Sequence, residues 1–296
     1  SVENPQIVNG CQTVNSIYYV LNNYDTSKSL IDTFSDTFVM LKILVIDRKN
    51  QDENDLYRSI VRFTNSQNAI NEKDFVSDKQ FFNRFQVELE KKGFCLLVKQ
   101  SDKEKFKEKY DNKLSILKAK NTSYFEKYGL ECKKLSDCSI KLEKLMQVIL
   151  AFKNGGYAAY TKKCYILKFN SKEYNDVTTF MQNNITVDVL LNLYLLYLKA
   201  EDVKSKSADN RTPVPYYLID CFANYECNER DANKILQQLS DKEKIEKVVN
   251  LYKVVTKSYI KRKGELNPDK VIDYNKMIKQ PVDYNIMQME RDVHLD

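Results

Sequence analysis

At 296 residues, with 43% apolar side chains, the chain can bury one large core or two ordinary ones, which excludes a disordered tail. Charged residues make up 30% while Gly and Pro number only 6 and 5, a balance that excludes loop-rich and all-β architectures and favours long helices with solvated faces. The net charge of +6 is modest, although residues 101–150 hold 12 Lys against 8 Asp plus Glu, a surplus that either attracts phosphates or belongs to a solvated helical face of mixed sign.

In chain order, Gln6-Ile7-Val8 reads as a buried strand, and Val14, Ile17, Tyr18 and Leu21 have helical spacing. The β-rich run 38–46 is nearly all apolar, as in a strand covered on both faces, with Lys42 to be accommodated. Asp52 or Asn54 can cap the next helix, whose Leu56, Ile60, Val61 and Phe63 stripe runs up to Thr64. A further helix is expected over 72–92, ending at Gly93 as a C-cap, and a strand over 94–99. Residues 1–100 therefore read as a small α/β unit.

From 101 to 296 the period is helical almost throughout, with helices expected at 139–153, 185–202, 215–225, 229–238 and 240–261. Asn154-Gly155-Gly156 breaks the first of these, and Asn210-Arg211-Thr212-Pro213-Val214-Pro215 is a proline-marked turn. The expected fold is α+β and predominantly helical: the α/β unit followed by a mainly helical domain.

Seven cysteines (Cys11, Cys95, Cys132, Cys138, Cys164, Cys221, Cys227) are odd in number and scattered, with no Cys-x-x-Cys pair and a single histidine, His294. This is a reducing-compartment pattern without a zinc site. The most apolar run, 187–198, contains Asp188, Asn192 and two Tyr and is too short to cross a bilayer of roughly 30 Å. No signal segment is visible, so the expectation is a cytoplasmic chain with no membrane partner. Because no Met opens the chain and a strand begins within a few residues, residue 1 reads as a cut inside a longer polypeptide.

In the block Ile7-Val8-Asn9-Gly10-Cys11-Gln12-Thr13 a short strand runs into a helix start. Free backbone N–H groups and the positive end of the helix dipole then meet at one point, which suits an anion such as phosphate. Gly10 permits close backbone approach, Gln12 and Thr13 add side-chain donors, and Asn9 can cap the helix. The structural alternative is that Asn9 and Thr13 simply cap an ordinary helix. Downstream, Thr64-Asn65-Ser66-Gln67-Asn68-Ala69-Ile70 follows a helix. Its Asn65, Gln67 and Asn68 either face a ligand or satisfy the helix end. Amides and hydroxyls supply neither acid, base nor strong nucleophile, so the block points to binding and positioning. Arg62 and Lys99, brought into the same cleft, would make a phosphate site.

Asn4-Pro5-Gln6-Ile7-Val8-Asn9-Gly10-Cys11-Gln12-Thr13 resembles the strongest motif of the AIPR (abortive infection phage resistance) family, Pro-Gln-Ile-Val-Asn-Gly-Gly-Gln-Thr. Cys11 stands in the second glycine position. The 64–70 block followed by Asp74-Phe75 matches a second motif at the right distance. A third, a strand ending in Glu-Arg-Lys, is degenerate here, with Lys99 and Gln100 matching well. Residues 145–152 resemble the family's Ala-Gln helix, with Ala158, Lys162 and Tyr174 following in order, so the likeness covers about residues 3–180. It implies a phage-defence protein. It also implies a nuclease-like region upstream, with an Asp-rich segment and a Glu/Gln-x-Lys strand, where a divalent metal would sit.

Within the chain itself no catalytic residues and no cofactor are expected. His294 lies in a polar tail, unsuited to a triad, and Asp78 with Glu90-Lys91-Lys92 falls on an expected helix, where a nuclease would need a strand. Twenty Tyr interleaved with Lys could stack on bases or form amphipathic core edges. Three functions follow as expectations. The first is recognition of DNA or RNA in support of an upstream nuclease. The alternatives are a nucleotide-sensing module and a protein-interaction scaffold that meets a phage-derived trigger or a second copy of the chain.

Overall fold

The computed structural model describes residues 14, 15, 18, 43–47, 50–65, 80–168, 171–266 and 273–295, without the side chains of 61–65, 80, 81, 100 and 184. The chain falls into two compact units, Ser1–Asn71 and Glu72–Asp296. The fold is α+β and predominantly helical.

In the first unit, Val14, Asn15 and Tyr18 are helical and exposed. Helix α1 is Gln51–Asn65, with Asp52 and Glu53 in the first turn, where the dipole favours carboxylates. Its cap is Asn50, in place of the expected Asp52 or Asn54: the Asn50 Oδ1 accepts from the Asp52 N–H at 3.0 Å. A capping residue must lie outside the helical turns whose amides it serves, and Asp52 and Asn54 are inside them. The expected strand at 38–46 is corrected over its described part. Residues 43–47 have no regular structure, and Val45 is 92% exposed. Apolar β-branched composition gives strand propensity, but a strand also needs a paired ladder and a covering face, and neither is present among the described residues. The strand expected at 6–8 lies outside them.

The second unit begins with α2, Gln80–Lys91, which buries Phe82, Phe85 and Leu89 on one face. It ends as the sequence predicts, at Gly93. There φ is 81° and the Gly93 and Phe94 N–H groups return to the Glu90 and Leu89 carbonyls at 3.0 and 2.9 Å, a Schellman closure. A Cβ at this position would come within 2.6 Å of the Leu117 carbonyl oxygen. Strand β1, Cys95–Leu97, follows.

Helices α3 (Gln100–Tyr110) and α4 (Leu114–Lys127) cross over to a 3-10 turn, Leu135–Cys138, and to β2, Ser139–Lys141. The two strands pair in parallel, Leu96 opposite Ile140, both fully buried. Residues 139–141, expected to open a helix, are thus a strand. Their periodicity cannot distinguish the two, and the waiting edge of β1 decides.

Helix α5, Leu142–Asn154, leads through Gly155 to α6, Gly156–Thr161. Helix α7, Lys172–Asn184, is capped by Ser171, and α8, Val187–Ser205, by Thr186. Apolar on nearly every side, α8 is the central post of the core, with Leu190, Leu191, Leu193, Leu195 and Leu196 all fully buried. Its few polar residues are matched: Asp188 meets Lys92 Nζ at 2.8 Å, and Asn192 Oδ1 accepts from Lys127 Nζ and Tyr128 Oη at 2.9 and 2.8 Å. Among the described residues no helix is long and apolar enough to cross a membrane.

Helix α9, Pro215–Cys221, starts with Pro at its first position, where no N–H is needed, and runs into a π turn, Phe222–Glu226. Asn228, Glu229 and Arg230 then take φ of 43°, 56° and 77°. This left-handed run corrects the helix expected at 229–238: only a 3-10 turn, Ala232–Lys234, and α10, Ile235–Gln238, form there. Helix α11, Lys242–Glu265, is capped by Asp241, and the short α12 (Tyr274–Met277) and α13 (Tyr284–Val293) complete the unit.

Candidate functional site

Of the residues predicted to bind a ligand, Asn9, Gly10, Gln12, Thr13, Gln67 and Asn68 lie outside the described residues. Arg62 and Asn65 belong to the last turn of α1, their side chains outside the description. Lys99 is exposed at the start of α3, in the second unit.

Lys99 is held by its main chain. Asp102, in the first turn of α3, accepts from the Lys99 N–H at 2.8 Å and from the Val98 N–H and Gln86 Nε2 at 3.0 Å. Gln86 Nε2 also donates to the Leu96 carbonyl at 2.9 Å. One carboxylate thereby joins α2, β1 and α3, and the Lys99 backbone is fixed at a point where the side chain enters solvent.

Among the described residues the most enclosed charge belongs to Asp220, on α9, whose side chain is 1% exposed. It accepts from Arg230 Nη2 at 2.5 Å, from Tyr284 Oη at 3.0 Å and from the Gly156 N–H at 2.8 Å. Arg230 Nη1 donates to the Phe152 and Ala151 carbonyls at 2.6 and 3.3 Å, so the guanidinium closes the C-terminus of α5, where the dipole favours a cation. Burial pushes the Asp220 carboxyl up, against the pull of Arg230, the Gly156 amide and Tyr284. This network was missed in the sequence. Its signal, the Gly155-Gly156 break, marks only the turn that lets the backbone come close to the carboxylate.

One turn earlier on α9, Lys144 Nζ donates to Tyr216 Oη at 2.9 Å, Tyr216 Oη donates to Gln147 Oε1 at 3.0 Å, and Gln147 Nε2 donates to the Ala159 carbonyl at 3.0 Å. The Tyr197 and Tyr216 rings stack with centroids 5.2 Å apart, and the Lys144 ammonium lies 5.3 and 5.4 Å from the two centroids. Burial holds the Lys144 amine below its ordinary value, with Glu201 pulling the other way.

Tyr197 Oη donates to Glu201 Oε1 at 2.8 Å, which fixes that carboxylate on the wall of a surface cleft of about 630 Å³. Lys204, Ser205, Asn210, Arg211, Asp273, Tyr274 and Asn275 complete the wall. Tyr274 Oη donates to the Arg211 carbonyl at 2.7 Å, and burial pushes the Tyr274 phenol up to about 12. The cleft has the size of a small-molecule site, but its lining is polar and of both signs, unlike the mainly apolar lining of such sites. Among the described residues no three His, Cys, Asp or Glu side chains converge as metal ligands would.

A family model described as AIPR protein matches residues 1–264, which include both motif blocks and Lys99. No curated protein and no solved structure matches the chain.

Proposed function

The chain belongs to the AIPR family, and from that premise we propose that it acts in phage defence by binding a phosphate-bearing ligand, DNA or RNA in the first place. Asn9, Gly10, Gln12 and Thr13 supply the anion-binding helix start, Asn65, Gln67 and Asn68 the polar contacts, and Arg62 the positive charge. In this reading the chain recognises and positions its ligand, and hydrolysis belongs to a nuclease-like region of the full protein. The observation that carries it is the family match, which spans both ordered blocks together. The chemistry of those blocks, amide and hydroxyl donors beside a helix start, supports binding over catalysis.

The test is fluorescence anisotropy of the chain with labelled single-stranded DNA, duplex DNA and RNA between 50 and 200 mM salt. Affinity is expected to fall with a linear dependence of log K on log salt, because each phosphate contact releases a counterion. Gly10→Val and Arg62→Met are expected to weaken binding while leaving the thermal midpoint near that of the parent. Absent or salt-independent binding would overturn the proposal. Stabilisation by a nucleoside triphosphate, without nucleic-acid binding, would transfer the same residues to nucleotide sensing.

A further inference from the structure

Cys132 and Cys138 bring their sulfur atoms to 3.2 Å. Cys132 is half-buried, while Cys138 is fully buried and ends the 3-10 turn Leu135–Cys138. Local hydrogen bonds impose the approach. Asp137 Oδ2 accepts from the Lys133 and Lys134 N–H groups at 2.9 and 3.0 Å, folding the turn back towards Cys132. From α4, Asn121 Nδ2 donates to the Gly93 carbonyl at 2.9 Å and to Cys138 Sγ at 3.3 Å, anchoring the buried thiol. The sulfur–sulfur bond of a disulfide is about 2.05 Å, so bonding requires the two atoms to close by only about 1 Å.

We infer that Cys132 and Cys138 are a modification site, forming a reversible intrachain disulfide with a hydroperoxide as oxidant and a dithiol as reductant. Cys132 is the reachable member. Its thiolate attacks a peroxide oxygen, the O–O bond breaks, and Cys132 becomes a sulfenic acid as hydroxide or alkoxide departs and takes up a proton. The Cys138 sulfur then attacks the sulfenic sulfur, the S–O bond breaks, and the Cys138 proton leaves with the hydroxide as water. Two thiols lose two electrons in all, and the peroxide gains them. Burial holds the Cys138 thiol up at about 12, so Cys138 is not the group that meets the peroxide first, and it gives up its proton only as it attacks the neighbouring sulfenic sulfur. The bond would lock the turn that delivers Ser139 to its partner Cys95 in the parallel pair.

The test uses the full chain treated with hydrogen peroxide, unfolded, alkylated and digested with trypsin. Lys133 and Lys134 lie between the two cysteines, so the reduced chain gives two separate peptides and the oxidised chain a linked pair. The expected result is that linked pair, with titratable thiols falling from seven to five as two are consumed. Dithiothreitol should restore all seven, and the thermal midpoint of the oxidised form should rise by a few degrees. Cys132→Ser, at the half-buried position and checked for folding by circular dichroism, should abolish the linkage. Cys164→Ser, at an exposed position, should leave it intact. Seven surviving thiols, linkage of either cysteine to Cys95, or a Cys132 sulfinic acid with Cys138 still free would each overturn the inference.

Discussion

Two charges meet helix α9 one turn apart, Asp220 buried and Lys144 half-buried, and are handled in opposite ways. Asp220 is closed off: a guanidinium, a phenol and a backbone amide fill its acceptor positions, and the guanidinium simultaneously ends α5. Lys144 is left partly open, with one phenol, two ring faces and, among the described residues, no carboxylate partner. A carboxylate this deeply buried is tolerated only when fully bonded, and removing either partner strands the other. An amine at the edge of a tyrosine cluster keeps part of its hydration and can be dispensed with. The first arrangement holds the architecture together. The second places Tyr197 and Glu201 at the cleft without bearing much of the stability.

That contrast can be tested in order of expected effect. Asp220→Ala should cost about 3–5 kcal/mol in urea unfolding, because Arg230 and the Gly156 amide both lose their acceptor. A cost comparable to that of a surface substitution would mean that the network does not close the fold. Gly156→Ala should cost about 1–3 kcal/mol, since the new Cβ would lie 2.4 Å from Tyr217 Cδ1 and 2.8 Å from the Tyr216 carbonyl oxygen. Loss of thermal midpoint without change in oligomeric state would check it.

Lys144→Met should be neutral or slightly stabilising near neutral pH, as a flexible apolar chain replaces a desolvated cation. Its pH dependence sharpens the point. Burial lowers the folded-state pKa of Lys144 from 10.5, so between the lowered value and 10.5 the unfolded chain binds the proton more strongly than the folded one. The parent's stability must then rise with pH across that window, a rise that Lys144→Met lacks. Relative to that of Lys144→Met, the parent's thermal midpoint should rise as pH approaches 10.5, and a relative fall would reverse the assignment.

The legibility of these regions in the sequence differs for physical reasons. The end of α2 at Gly93 was readable, because a positive φ and a crowded carbonyl admit little else there. The helix α8 was readable from its apolar run, but its place at the centre of the core was not, because burial depends on which elements pack around it. The strand at 139–141 was not, because three residues have no period of their own and only pairing with Cys95–Leu97 defines them. The failure of the helix at 229–238 was equally hidden: Asn228, Glu229 and Arg230 are ordinary in a helix pattern, and their left-handed backbone follows from bringing Arg230 to Asp220 and α5. The two motif blocks of the first unit were legible through family resemblance, whereas in the second unit Glu201, Lys144 and Tyr216 come from separate helices and share no local pattern.

By itself the sequence determined the helical class, the principal helices and membership of the AIPR family, since composition, periodicity and short motifs are local properties of the chain. Tertiary structure alone decided which polar groups are buried together: Asp220 with Arg230, Lys144 with Tyr216, and Cys132 with Cys138 at 3.2 Å. Desolvation and hydrogen bonding act on what is adjacent in space. For Cys132 and Cys138, six residues apart, the local bonds of Asp137 fold the turn, and Asn121, distant in sequence, holds the Cys138 thiol in place.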